Sequence, residues 1–190
     1  IIFHIINNME NKYEMTSALE NPYLIPLKEE LQRVKFVKKN PNKDKTRTTI
    51  FGGVKETIPP FEAFALGLAR AYNKKELVQS AKNRKYPDLY ELCKSFIKYD
   101  YPDFEYTTIQ LNKNVNTEYH FDARNGGVDN LSACIGIGDF TEGGIEIKEN
   151  DIITQYPNKD KWLLYNGKTK LHRTIPAIGD RFAIIYFTKK

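Results

Sequence analysis

Cysteine is almost absent: Cys93 and Cys134 are the only two among 190 residues, and they stand in no CxxC or Cys/His cluster. That excludes a disulfide framework and a zinc site built from clustered thiolates, and a reducing compartment is expected. Histidine is scarce as well, with three residues, and tryptophan occurs once. No apolar run is long enough to span a bilayer; Ile1-Ile2-Phe3-His4-Ile5-Ile6 is too short and lacks the flank and cleavage site of a signal peptide. The expectation is a soluble intracellular protein of the cytoplasm or nucleus, with no membrane partner and monomeric. Internal repeats, low-complexity tracts and heptads are missing too. Neither charge dominates: 29 Lys+Arg against 24 Asp+Glu leave +5, which accommodates a polyanionic partner without requiring one.

What is present is enough apolar material, 41% of the chain, for one domain with a sizeable core. Met9, followed by the polar Glu10-Asn11-Lys12, reads as a natural start, with residues 1–8 upstream of it. Residues 1–22 form a tail and 23–190 a single domain, divided into N-terminal strands and supporting helices (23–103) and a core (104–190). Residues 35–47 read as a basic, turn-rich loop, and 48–51 as a strand closed by Gly52-Gly53. After Pro59-Pro60, the apolar residues Phe61, Phe64, Ala65, Leu68 and Tyr72 recur at helical spacing, which predicts a helix ending near Asn73. A second short helix is expected over 75–82. Pro87 and Asp88 open a third, with Leu89, Leu92, Cys93 and Phe96 on one stripe. Lys74, Lys75, Lys82, Arg84 and Lys85 make a basic run, read as a solvated helix face or a contact to phosphates.

Beyond Tyr101-Pro102-Asp103 the period becomes two, with strands predicted near 104–112, 117–122, 131–137, 144–148, 161–165 and 181–188. Helices first and strands afterwards predict an α+β fold with the helices packed on one side of an antiparallel jelly roll.

His120-Phe121-Asp122, with His172 fifty residues on and Arg181 after it, is the pattern that carries chemistry. Two imidazoles and one carboxylate occupy one face of a non-haem Fe(II) and leave positions open for 2-oxoglutarate and O2. On a strand, residues 120 and 122 point the same way, and a turn at Asn166-Gly167 lets a returning strand bring His172. An arginine clamps a distal carboxylate in a bidentate pair. Arg181 would share the inner face of its strand with Ala183, Ile185 and Phe187, where a buried guanidinium needs an anion. The bland alternatives are a strand histidine paired with a carboxylate, an exposed His172 and a surface salt bridge at Arg181. Gly143-Gly144 suits a close approach or a bulge.

Together with Tyr106-Thr107-Thr108-Ile109-Gln110-Leu111-Asn112, Asn125-Gly126 and Gly138-Asp139-Phe140-Thr141, these motifs resemble the double-stranded β-helix core of Fe(II)/2-oxoglutarate dioxygenases. Within it the chain is most similar to a small viral, algal and protist branch related to methylcytosine dioxygenases and thymidine hydroxylases. The resemblance covers residues 104–188 and extends loosely to 48–53. It implies iron held by His120, Asp122 and His172, 2-oxoglutarate anchored by Arg181, and hydroxylation of a C–H bond, with a nucleic-acid base in DNA or RNA as favoured substrate. The arginine falls one residue earlier after the histidine than is usual there, a difference that an adjustment at Gly179 absorbs. Tyr106 and Thr108 are expected at the cofactor, and Gln110, Asn112 and Asn125 at the substrate. Two other readings stand beside this one: the same chemistry on a protein side chain or small metabolite, and a jelly-roll binding module without catalysis.

Overall fold

A computed structural model describes residues 13–39, 61–70 and 76–190. Most of the expected tail, the basic loop beyond residue 39, the strand at 48–51, Gly52-Gly53, Pro59-Pro60, Tyr72, Lys74 and Lys75 lie outside the described residues.

Alternation along the strands divides the sheet into a face covered by helices and a face that is hollow. In β5 (Thr108–Lys113), Ile109 and Leu111 join the main core while Gln110 and Asn112 line a cavity. In β10 (Leu171–Lys189), Phe182, Ile184 and Tyr186 point to the core, and Arg181, Ala183, Ile185 and Phe187 to the cavity, as the sequence predicted. The covering layer is α1 (Leu24–Arg33), through Leu24, Leu27 and Leu31, and α3 (Pro87–Asp100), through Leu89, Cys93, Phe96 and Ile97. Each such side chain removed from water is worth about 1.5–3 kcal/mol. The helix layer is pinned by directional bonds as well: Asp100 accepts from Trp162 Nε1 (2.6 Å) and Asn21 Nδ2 (2.7 Å), and the Tyr186 hydroxyl donates to Cys93 O (2.8 Å).

The remaining strands are β1 (Met15–Ser17), β2 (Lys38–Lys39), β3 (Phe61–Arg70), β4 (Leu77–Gln79), β6 (Asn125–Gly126), β7 (Ser132–Glu149), β8 (Ile152–Tyr156) and β9 (Lys161–Tyr165). They pair antiparallel in the order β1-β9-β7-β10-β5-β3-β2, with β4 on β3, β6 on β10 and β8 on β7. A short helix α2 (Ala81–Lys85) is capped by Ser80, whose Oγ accepts from Lys82 N.

β7 and β10 pair in one unbroken register, from Leu171↔Lys148 to Phe187↔Ser132, and carry the chain around a corner. At one end His172, Thr174 and Ile145 line the cavity; at the other, Arg181, Ala183 and Cys134 do. The parity of the inward face therefore switches on both strands between these ends, where glycines take positive φ. Gly179 has φ +103, and a Cβ there would lie 2.3 Å from Asp139 O. Without that turn of the ribbon, His172 and Arg181 would point to opposite sides of the sheet.

Three expectations are corrected. Residues 61–70 form strand β3 and not a helix: Ala63 faces the cavity while Phe64 and Leu66 face the core, so apolar residues on both sides imitated a helical spacing. The expected helix over 75–82 is replaced by β4 followed by α2. The expected strand at 117–122 makes a single bridge, His120↔His172, because the Thr174 N–H is taken by the Thr117 hydroxyl (2.9 Å) and Asp122 N–H goes to Gly167 O (2.8 Å). Helix α1 and strand β8 escaped the sequence reading, and the two strands predicted at 131–137 and 144–148 are one. Gly179→Ala should destabilise the protein by more than about 1 kcal/mol, lowering the melting temperature by at least about 2–4 °C, as thermal unfolding would measure.

Candidate metal centre and cavity

His120 and His172 are joined by reciprocal backbone bonds, His120 N to His172 O (2.9 Å) and His172 N to His120 O (3.1 Å). That bridge sets their rings side by side, with centroids 4.4 Å apart. Each Nδ1 meets a backbone carbonyl, Glu118 O at 2.6 Å for His120 and Lys170 O at 2.8 Å for His172. A carbonyl can only accept, so Nδ1 carries a proton in both, and Nε2 is the nitrogen turned toward Asp122. Asp122 stands opposite both, with Oδ1 3.8 Å from His120 Nε2 and Oδ2 3.5 Å from His172 Nε2. One donor atom from each residue falls within 4.8 Å of the others. Neutral imidazoles turned by their second nitrogen, with one carboxylate, are the donor set of a divalent metal held on one face, as in non-haem iron sites. The three residues fit that group.

Four neighbours hold this arrangement. Gly167 sits against the carboxylate, where a Cβ would come 3.2 Å from Asp122 Oδ2. Tyr165 stacks edge-on to His172 at 5.0 Å, its hydroxyl kept far from ionising by burial. Thr117 and Thr174 share a hydroxyl bond of 3.0 Å beside the bridge.

Arg181 lies in the same cavity, 3% exposed. Its Nη1 donates to Ile175 O (2.9 Å), and among the described residues no carboxylate forms an ion pair with it. Burial lowers its pKa from the ordinary value, yet a guanidinium stays charged at any physiological pH. An uncompensated buried cation of this kind calls for an anionic guest. Asn114, which the sequence reading missed, fixes the backbone here: its Oδ1 accepts from Arg181 N (2.7 Å) and its own N–H donates to Arg181 O (2.9 Å). Asn114 has φ +51, a conformation asparagine tolerates, and that habit is the only signal the sequence carried. Gly143 leaves room for the guanidinium, since a Cβ there would stand 3.3 Å from Nη1.

The cavity holds about 390 Å³, within the range of small-molecule sites. Gln110, Asn112 and Asn125 line it, as expected. Gln110 Nε2 donates to Asn112 Oδ1 (2.9 Å) and Asn125 Nδ2 to Ser132 Oγ (2.8 Å). Tyr106 and Thr108, expected at the cofactor, are not among its lining. The Tyr106 ring packs edge-on to Tyr186 at 5.2 Å on the core side, because the chain before Thr108 has left the strand. The Thr108 hydroxyl is spent on Leu68 O (2.8 Å). Cys134 also lines the cavity, where burial pushes its thiol up to about 12, and it lies outside the trio of grouped donor atoms. Lys39, Arg124 and Lys189 add positive charge to the wall.

No protein-family model and no curated protein matches the sequence. Solved structures do match in fold. An oxidoreductase of the 2OG-Fe(II) oxygenase family from Burkholderia pseudomallei aligns with 86% of this chain and 77% of its own, at TM-score 0.53 and 13% identity. A prolyl-4-hydroxylase from Pseudomonas putida covers 94% of this chain and 92% of its own, at TM-score 0.50 and 12% identity. A prolyl hydroxylase from Trichoplax adhaerens, in complex with a hypoxia inducible factor oxygen degradation domain peptide fragment, covers 95% and 84%, at TM-score 0.53 and 12% identity. The chain thus shares the double-stranded β-helix fold of these proteins, with helices on one side, as the sequence predicted.

Asp122→Ala removes the one carboxylate of the trio. Its affinity for Co(II), followed by visible absorption, should fall by more than the about 10–100-fold that outer partners are worth, with the melting temperature of the metal-free protein little changed.

Proposed function

We propose that the protein is an Fe(II)- and 2-oxoglutarate-dependent dioxygenase that hydroxylates a C–H bond, with a nucleic-acid base as the favoured target. The observation that carries the reading is the meeting of His120, Asp122, His172 and the buried cation Arg181 in one cavity. That meeting also argues against a binding module that has lost catalysis.

Each residue has a task. Nε2 of His120, Nε2 of His172 and the Asp122 carboxylate would hold the iron, their directions set by Glu118 O, Lys170 O and the Gly167 turn. Arg181 would take the distal carboxylate of 2-oxoglutarate, so that an ion pair inside a low-dielectric wall replaces an uncompensated charge. Ile145, Ala183 and Ile185 keep that wall apolar and exclude water. Gln110, Asn112 and Asn125 present amide groups to whatever enters beside the metal. The chemistry supplied by the cofactor pair, once bound, is decarboxylation of 2-oxoglutarate to succinate coupled to hydroxylation of the substrate.

Lys39, Arg124 and Lys189 on the wall support a phosphate-bearing substrate. A protein side chain is the second reading, favoured by the prolyl hydroxylases among the similar folds. Succinate release by the iron-loaded protein, given oxygen, 2-oxoglutarate and either methylated DNA, RNA or proline-containing peptides, tests both. Stimulation by nucleic acid that fades as salt rises supports the first, stimulation by peptide alone supports the second, and no succinate under any condition sinks the dioxygenase. Arg181→Ala should cost about 2–5 kcal/mol, weakening 2-oxoglutarate binding by roughly 30-fold or more, while Co(II) binding persists.

A further inference from the structure

Among the described residues Glu146 is the one buried carboxylate, at 3% exposure, and it faces away from the cavity. It stands on β7 directly across from Arg173 of β10 and Gln155 of β8. Its inward neighbour Ile145, and the neighbours His172 and Thr174 of Arg173, line the cavity instead. Three donors converge on it: the Tyr119 hydroxyl and Arg173 Nε (2.6 Å) on Oε1, and Gln155 Nε2 (3.0 Å) on Oε2. The Arg173 guanidinium also lies over the Tyr119 ring, 4.8 Å from its centroid. Burial would raise the Glu146 pKa, but the bonds from Tyr119, Arg173 and Gln155 outweigh it and hold the group below the ordinary range.

Tyr119 is the residue before His120. The segment carrying His120 and Asp122 is joined to β10 by a bridge to His172 and the Thr117–Thr174 bonds rather than by a strand ladder, and Asp122 N donates to Gly167 O. Apolar residues could cover the outer face of the ribbon as well as this pair, of which only Glu146 is buried, but they would not fix a direction. Charge-assisted hydrogen bonds do. We propose that Tyr119, Glu146 and Arg173 form an outer clamp that positions His120, holding the main chain on the far side of the ribbon so that Nε2 points at the metal centre. These are positioning residues, and the proposal rests on the metal reading above.

Tyr119→Phe tests it, because the ring and its contact with Arg173 remain while one hydroxyl goes. Co(II) binding to the metal-free protein, followed by visible absorption, should weaken about tenfold and the absorption of the bound ion should change, with the melting temperature of the metal-free protein unmoved. Glu146→Gln, which keeps an acceptor for Tyr119 but drops the charge, should weaken binding in the same direction, and it decides the matter if Tyr119→Phe does not fold. Wild-type affinity in both variants, or weaker binding matched by a fall in the metal-free melting temperature, overturns the clamp. If wild type binds no Co(II), or Asp122→Ala binds it equally well, the metal centre falls and the clamp with it. Affinity lost in Asp122→Ala but kept in Tyr119→Phe removes the clamp alone.

Discussion

The pairing of β7 with β10 constrains everything that faces the cavity. Its register is the same on both sides of the corner, with the ladder skipped only at Pro176, which has no N–H to donate, yet the inward face changes parity between His172 and Arg181. Positive-φ residues cluster at this corner, at Gly138, Glu142, Gly143, Gly144 and Gly179. One ribbon consequently presents His172 on one side of the corner and the buried cation Arg181 on the other, with the gap between them fixed by main-chain geometry. The bridge from His172 to His120 then hangs the second ligand segment on the same ribbon.

The charges inside the cavity are arranged for guests rather than for each other. Both Nδ1 atoms are committed to carbonyls, and both Nε2 atoms are turned toward Asp122. Arg181 is likewise left with one backbone carbonyl as acceptor. A buried guanidinium without a carboxylate partner among the described residues is costly to the fold, and a dianion bound at Arg181 would relieve that cost. On the outer side of the ribbon the opposite holds: Glu146 is satisfied by three donors, and its role is to hold rather than to receive.

Much of this was legible in the sequence, for particular reasons. His120, Asp122, His172 and Arg181 could be picked out because their side-chain chemistry is rare and their spacing matches a jelly roll. The alternation of Arg181, Ala183, Ile185 and Phe187 survives in the structure because only one side of that strand meets the helices. Residues 61–70 misled because both faces of β3 are apolar, so that no period of two was visible. Tyr106 was placed by extrapolating an alternation past the point where β5 begins, and Thr108, its first residue, spends its hydroxyl on Leu68 O. Asn114, Thr117 and Glu146 were invisible for another reason: their value lies in partners distant in sequence, at Arg181, Thr174 and Tyr119, which local pattern cannot reveal.

The central claim is that one cavity binds a divalent metal at the histidine and aspartate trio and 2-oxoglutarate at Arg181, each aiding the other. Calorimetric titration of 2-oxoglutarate into the protein under anaerobic conditions, with and without Fe(II), tests it most directly. Binding should be weak without the metal and tighten strongly with it. Equal binding in the two titrations, or none in either, would contradict it.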